Sequence, residues 1–90
     1  MKQGLEFYRA KIDVIDRQLV RLLAERMKLM PEIAKIKKAQ GIPVFQPARE
    51  KEVIQLKKKL ARENGLSEAF VEKAFKLIMK EAKEVQRRGK

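Results

Sequence analysis

The sequence predicts an all-α fold. Apolar residues recur in steps of three and four along most of the 90-residue chain, which is the periodicity of helices with one buried face. Residues typical of helix ends divide the chain near positions 41–47 and 64–67. No segment carries the alternation of a β-strand. These observations predict one long helix followed by two shorter helices.

The long helix is predicted from Leu5 to about Gln40, where Gly41 and the following Ile-Pro pair end it. Pro31 lies within it and removes the amide that would bond to the carbonyl of Met27, so we expect a kink or a break there. Its apolar stripe consists of Leu5, Tyr8, Ile12, Ile15, Leu19, Leu22, Leu29, Ile33 and Ile36.

The two shorter helices follow a loop at residues 44–46. Pro47 suits the first position of the second helix, and Asn64 with Gly65 predicts its end in a left-handed turn. Ser67 is a typical cap for the third helix. Inward positions are expected at Val53, Leu56 and Leu60 on the second helix, and at Phe70 or Val71, Ala74, Phe75, Ile78, Ala82 and Val85 on the third.

The first helix is too long for a 90-residue globule. A helix over residues 5–40 is roughly 50 Å long, whereas a compact chain of this size has a radius of gyration of about 12 Å. Something must cover the apolar stripe of the projecting part. A second copy in antiparallel contact does so, because a twofold axis makes one patch self-complementary. A parallel coiled coil is the alternative, but it leaves the shorter helices no place to pack.

Composition restricts the chemistry that is open to this chain. It contains no cysteine and no histidine, which excludes disulfides, thiolate metal sites and nucleophiles activated by histidine. We therefore expect no metal and no cofactor. The net charge of +11 fits a solvated lysine-rich surface, an anionic small molecule or nucleic acid. Without an apolar leader or a membrane span, a cytoplasmic location is expected.

Arg26 interrupts the apolar stripe. Positions seven apart from Leu5 are Ile12, Leu19, Arg26 and Ile33, so the arginine occupies a core position. A buried charge is costly unless it is paired. Three interpretations stay open. Arg26 pairs with a carboxylate such as Glu25 or a neighbour's Asp13, its charge reaches out to solvent, or it binds an anionic ligand.

Two further cations are related to Arg26 by spacing. Lys37 follows it by eleven residues, which is close to three whole turns, so both lie on nearly one face. Arg9 precedes it by seventeen residues, or about 25 Å along a straight helix. In an antiparallel dimer, Arg9 of one chain approaches Arg26 of the other. Ordinary surface charge is the alternative for Arg9 and Lys37.

Three polar residues on the shorter helices also stand out. Arg49 and Glu50 follow Pro47 in the first turn of the second helix, where free amides favour an anion. Glu50 complements the helix dipole there, whereas Arg49 opposes it and needs another reason. Gln86 lies beside the inward position Val85, and a surface amide is its plainer interpretation.

Taken in order, these residues resemble the all-helical class of chorismate mutases, and the resemblance covers nearly the whole chain. It implies a single domain over residues 1–90, in a homodimer of two intertwined chains with one long and two shorter helices each. It also implies the pericyclic rearrangement of chorismate to prephenate in phenylalanine and tyrosine biosynthesis. The segments that carry the resemblance are Leu5–Asp13, Ile15–Asp16, Leu22–Arg26, Ile33–Lys37, Pro43–Glu50 and Phe75–Gln86.

The resemblance also implies roles for individual residues. Two active sites are expected, each built mainly from one chain with one arginine from the other. Arg9 is implied to bind the substrate from the partner chain, and Arg26 to bind a carboxylate with support from Arg49. Glu50 is implied to contact the substrate hydroxyl. Lys37 and Gln86 are implied to donate hydrogen bonds to the ether oxygen. Gln46 and Ala82 also fall at substrate-binding positions, where many members have Asp and some have Ser.

Other functions stay open at this point. An isochorismate-pyruvate lyase shares the fold, although Arg49 and Glu50 at this distance from Lys37 favour the mutase. A basic nucleic-acid-binding protein is a second alternative. With one Tyr, four Phe and no Trp, and with the notable charges in the apolar stripe, we expect no nucleic acid partner and no membrane. A helical adaptor domain is a third alternative.

Overall fold

The computed structural model describes residues 4–88, and within that range the chain forms four α-helices and no strand. The helices are α1 (Leu5–Lys28), α2 (Met30–Gln40), α3 (Pro47–Glu63) and α4 (Glu68–Arg88). The predicted all-α class is therefore confirmed. The predicted long helix corresponds to α1 and α2 together.

The break between α1 and α2 falls at Leu29, two residues before Pro31. The Leu29 amide bonds to the Arg26 carbonyl at 3.2 Å, which tightens the last turn of α1, and its own carbonyl accepts from Ile33 at 3.0 Å. Proline lacks an amide hydrogen and fits the first turn of a helix, so the break comes just ahead of it. Leu29 keeps right-handed backbone angles, and the molecule is 61 Å long. The second helix therefore continues the course of the first.

Glycines in left-handed conformation end two of the helices. Gly41 follows α2 with a φ of 69°, and Gly65 follows α3 with a φ of 70°. After Gly41, the Ile42 amide reaches back to the Lys37 carbonyl at 2.8 Å, which satisfies a carbonyl at the helix end. The predicted turns are confirmed, and the first of them directs the following loop back toward α2.

The core lies between α3 and α4, with α2 packed against α4. The Ser67 hydroxyl caps α4 as expected, accepting from the Phe70 amide at 3.1 Å. Of the two options at the start of α4, Val71 is buried and Phe70 is exposed. The buried residues are Met30, Ile54, Ala61, Val71, Met79, Ala82 and Gln86.

The inward face predicted for α3 is wrong in part. Leu56 and Leu60 are 50% and 48% exposed, and Ile54 and Ala61 are buried instead. Only Val53 of the predicted set is half-buried. Helix α3 has apolar residues on two faces, and its contact with α4 selects the face that carries Ile54 and Ala61.

Helix α1 projects beyond the core. None of its residues is buried, and the radius of gyration of 16.8 Å exceeds the roughly 12 Å of a compact chain of this length. Within residues 4–88, no helix is both long and apolar enough to cross a membrane. The exposed stripe on α1 consists of Leu5, Tyr8, Ile12, Ile15, Leu19 and Leu22, which are 52–63% exposed.

Candidate active site

A cleft of about 240 Å³ opens where α2, the start of α3 and the second half of α4 meet. The end of α1 closes one side of it with Arg26. Seven of the eight residues singled out in the sequence line this cleft, although they are spread over sixty positions of the chain. They are Arg26, Lys37, Gln46, Arg49, Glu50, Ala82 and Gln86.

Arg9 is the eighth residue, and it is not part of this cleft. It lies on the exposed surface of α1, where its guanidinium pairs with Glu6 at 3.0 Å. Its distance from Arg26 along the helix is about 25 Å. Arg9 therefore cannot reach the cleft of its own chain, as the spacing predicted.

Lys37 and Gln86 meet at the inner end of the cleft. The Lys37 ammonium donates to the Gln86 side-chain oxygen at 2.9 Å and to the Val44 carbonyl at 2.9 Å. Gln86 is only 7% exposed, so its interpretation as a surface amide is wrong. Its nitrogen lies 3.4 Å from the Met30 sulfur, a weak acceptor. The bond from Lys37 fixes which end of the amide is the donor.

The charge on Lys37 is influenced by its surroundings. Burial lowers the pKa of Lys37 from its ordinary value of 10.5, and the carboxylate of Glu50 raises it again in part. The ammonium form is nevertheless held by two acceptors. Lys37 therefore presents a partly desolvated positive charge, whose attraction for an anion is stronger than it is in open water.

Arg26 lies across the Leu29 break from Lys37 and faces the same cleft. It is half-buried, and its guanidinium makes no ion pair or hydrogen bond with another residue of the described range. Pairing with Glu25 of the same chain, one of the structural interpretations, is absent. The five donors of Arg26 are thus available to a ligand.

Glu50, in the first turn of α3, is held by a residue that gave no clear signal in the sequence. The Lys83 ammonium pairs with the Glu50 carboxylate at 2.7 Å and lies over the Phe45 ring, 4.6 Å from its centroid. A lysine on a lysine-rich helix carries no signal of its own. Its position three residues before Gln86, on the same helix face, is the only clue in the sequence.

The other lining residues contribute less specific contacts. Arg49 is exposed and pairs with Glu52 one turn further along α3. Gln46 is half-buried just before α3 and makes no capping hydrogen bond with its side chain. Ala82 is buried and offers only a methyl group. The apolar part of the lining was not predicted from the sequence, and it comprises Met30, Ile33, Val44, Val53 and Met79.

The charges of the cleft suit a small dianion with an apolar body. Four cationic side chains line it against one carboxylate, Glu50, and that carboxylate is itself paired. Guanidinium groups bind carboxylates through two parallel hydrogen bonds. The cleft contains no nucleophile activated by a base. Its side chains are equipped to bind, orient and stabilise developing negative charge.

Comparison with known proteins agrees with this geometry. Residues 8–87 match the family described as chorismate mutase type II. The chain is 36% identical to a chorismate mutase of Methanocaldococcus jannaschii, over 97% of this chain and 88% of that protein. It is 31% identical to a 4-amino-4-deoxychorismate mutase of Streptomyces venezuelae, over 86% of this chain and 75% of that protein.

Some relatives are much larger. The T-protein of Haemophilus influenzae is 31% identical over 89% of this chain, but the chain spans only 21% of that protein's length. The family match nevertheless covers nearly the whole sequence, including both halves of the cleft. This chain belongs to the type II chorismate mutase family.

Proposed function

We propose that this protein is a chorismate mutase, converting chorismate to prephenate in the biosynthesis of aromatic amino acids. The observation that carries this proposal is the pair of donors, Lys37 and Gln86, at the inner end of a cationic cleft that also contains Arg26. Chorismate is a dicarboxylate with an enolpyruvyl ether, so it needs cations at its ends and donors at its ether oxygen.

The proposed mechanism requires no covalent step with the protein. The rearrangement is pericyclic, and the enzyme must hold a flexible molecule in its compact reactive shape. Arg26 binds a carboxylate in a planar fork, with Arg49 in a supporting position. Confining the substrate in this way can lower the barrier by several kcal/mol.

The two donors act on the bond that breaks. As the carbon–oxygen bond lengthens, negative charge grows on the ether oxygen. Lys37 and the amide nitrogen of Gln86, which line the same cleft, stabilise this charge more than the ground state. Glu50 accepts a hydrogen bond from the substrate hydroxyl. Each role rests on the family resemblance together with the positions of these residues in the cleft.

We also propose that two copies of the chain form the working unit, with Arg9 of each copy completing the other copy's cleft. Every residue of the apolar stripe on α1 is more than half exposed in the single chain. Leu56 and Leu60 form a second exposed apolar face on α3. Burying such surface stabilises by roughly 25 cal/mol per Å², which favours association of the two copies.

A turnover assay with matched variants tests the proposed activity. Purified protein is incubated with chorismate, its loss is followed by absorbance, and the product is identified by chromatography. Lys37→Met is expected to lose roughly 10²–10³ in rate. Lys38→Met removes the neighbouring exposed lysine outside the cleft and is expected to match the wild type. Absence of prephenate, or equal loss in both variants, contradicts the proposal.

The same protein preparation can distinguish a chorismate mutase from an isochorismate-pyruvate lyase. With isochorismate as substrate, a lyase releases pyruvate. The mutase proposal predicts that chorismate is the better substrate by kcat/KM, because Glu50 and Arg49 contact groups of that ring. A higher kcat/KM for isochorismate assigns the cleft to the lyase instead.

A further inference from the structure

Lys83 is the one charged side chain of the cleft without a proposed contact to the substrate. It contacts two groups at once: the Glu50 carboxylate at 2.7 Å and the face of Phe45 at 4.6 Å from the ring centroid. The side chains of Lys83 and Glu50 are only 20% and 26% exposed. Their pairing is thus better shielded from water than the helix-surface pairs of this chain, such as Arg9 with Glu6.

Contact on two sides restricts where the Lys83 ammonium can lie. The carboxylate attracts it from one side, and the electron-rich ring face attracts it from another. Glu50 belongs to the first turn of α3 and Lys83 to α4, so the pair also joins the two walls of the cleft. The Glu50 carboxylate is consequently held at one position beside the space that a ligand would occupy.

The charge of this pair matters as much as its position. An unpaired carboxylate in the cleft would repel a dianionic substrate and attract a cation. Paired with Lys83, Glu50 still has oxygen lone pairs for a neutral donor, since a carboxylate can accept about four hydrogen bonds. A cationic donor at the same place would meet the ammonium of Lys83 nearby.

We propose that Lys83 is a positioning residue that acts through Glu50 and makes this side of the cleft select a neutral hydroxyl over a cationic ammonium on the substrate ring. The inference rests on the proposed function, in which Glu50 accepts the substrate hydroxyl. It concerns the choice between chorismate and 4-amino-4-deoxychorismate, which carries an amino group in place of that hydroxyl.

The test compares kcat/KM for these two substrates in wild type, Lys83→Met, Lys83→Arg, Glu50→Gln and the Lys83→Met/Glu50→Gln double variant. Methionine keeps the bulk of the lysine stem without its charge. Lys80→Met is the matched control, because Lys80 is exposed on the same helix and does not line the cleft. Thermal unfolding of each variant verifies that it is folded.

We expect Lys83→Met to lower the ratio of kcat/KM for chorismate to kcat/KM for 4-amino-4-deoxychorismate by about tenfold, which is the size typical of a coupled pair. Lys83→Arg keeps the charge and should keep the preference, as should Lys80→Met. With chorismate as substrate, Lys83→Met should lower kcat/KM about tenfold when Glu50 is present. In the Glu50→Gln background the same change should lower kcat/KM less than about threefold, because the effect of Lys83 passes through the carboxylate.

Two results overturn the inference while leaving the mutase activity standing. An unchanged preference in Lys83→Met shows that the pair does not select the hydroxyl. Equal losses for chorismate in both Glu50 backgrounds show that Lys83 acts on the substrate directly. Failure of the proposed function has a different signature, since the wild type would then not convert chorismate.

Discussion

Gln86 is the only polar or charged residue that is buried within the described range of the chain. Burying an amide without partners costs roughly 1–3 kcal/mol by protein mutational data. Here its oxygen is satisfied by Lys37, while its nitrogen has only the weak Met30 sulfur. A strong acceptor for that nitrogen is thus still missing, as the proposed role at an ether oxygen requires.

Gln86→Glu should make activity depend on pH. A glutamate has nearly the same shape, and Lys37 can still donate to it, but it offers a proton only below a pKa whose reference value is about 4.3. At neutral pH we expect a loss of roughly 10²–10³ in kcat/KM, with recovery as pH falls. Gln55→Glu, on the exposed side of α3, is the control and should keep the wild-type profile. Wild-type activity of Gln86→Glu at neutral pH contradicts the assignment.

Arg26→Ala separates a substrate-binding arginine from a structural one. Arg26 is half-buried and its guanidinium is unpaired within residues 4–88, so removing it deletes a costly charge and no visible contact. We expect turnover to be abolished while the melting temperature stays equal or rises. Arg21→Ala on the exposed part of α1 serves as the comparison. A large fall in melting temperature for Arg26→Ala identifies a structural ion pair instead.

The lowered pKa of Lys37 predicts an alkaline limit to activity. Burial shifts the pKa below 10.5, so the free enzyme loses this ammonium, and kcat/KM falls, before an ordinary lysine would titrate. A bound dianion raises the pKa, so the fall in kcat should come at higher pH. The measurement is both constants from neutral pH upward. The arginine of Lys37→Arg stays charged throughout this pH range, so the residual activity of this variant should not fall at alkaline pH.

The titration of Lys37 does not unfold the protein at alkaline pH, so unfolding through Lys37 cannot cause this fall in kcat/KM. A folded-state pKa below the unfolded value means that the unfolded chain binds more protons between the two values. The contribution of Lys37 to stability therefore rises with pH across that window, while its contribution to activity falls. A kcat/KM that stays level up to pH 10.5 contradicts the account of Lys37 as the charged donor.

At the scale of helices, the break at Leu29 has a testable cause. Pro31 supplies no amide to the Met27 carbonyl, so α1 and α2 do not merge. Pro31→Ala restores this donor and should raise the free energy of unfolding by about 1 kcal/mol. Turnover should persist, because Arg26 and Lys37 are eleven residues apart and share a face on a continuous helix too.

Pro47→Ala provides the control for this change. Pro47 is also in a first helical turn, but no helix precedes it directly, so its replacement restores no bond to an upstream helical carbonyl. Denaturant unfolding of both variants should show a gain for Pro31→Ala only. A loss of stability in Pro31→Ala shows that the break is imposed by the surrounding packing and not by the proline.

The ends of the helices could be predicted from the sequence because their causes are local. Proline at Pro47, the left-handed glycine at Gly65 and the hydroxyl of Ser67 act within one turn. The buried face of α3 could not be predicted, because contact with α4 decides between two apolar faces. Lys83 was missed for a similar reason: only the fold brings Glu50 and Phe45 around it.

The lining of the candidate site was predicted more fully than the core. Seven of the proposed residues line one cleft. Five of them stood out in the helical pattern as charges or an amide, whereas Gln46 and Ala82 came from the resemblance alone. Spacing along a helix converts directly into distance, which is why the separation of Arg9 from its own cleft was foreseen. The apolar lining gave no such signal, because Val53 or Met79 resembles any core residue.

For the whole molecule, the central claim is a mutase site completed by a second copy of the chain. Arg9→Ala removes the arginine proposed to be contributed to the partner, and Lys37→Ala disables the donor in its own cleft. Each protein alone should be nearly inactive. A mixed dimer retains one intact cleft, formed by the Lys37 of one chain and the Arg9 of the other.

The most direct test is to unfold the two inactive proteins together, refold the mixture and measure chorismate turnover. Random pairing restores about a quarter of the clefts, so activity near a quarter of the wild type is expected, with twice the chain mass by light scattering. Each variant refolded alone should stay inactive. A mixture that remains inactive although it has refolded into dimers would contradict a site shared between two chains.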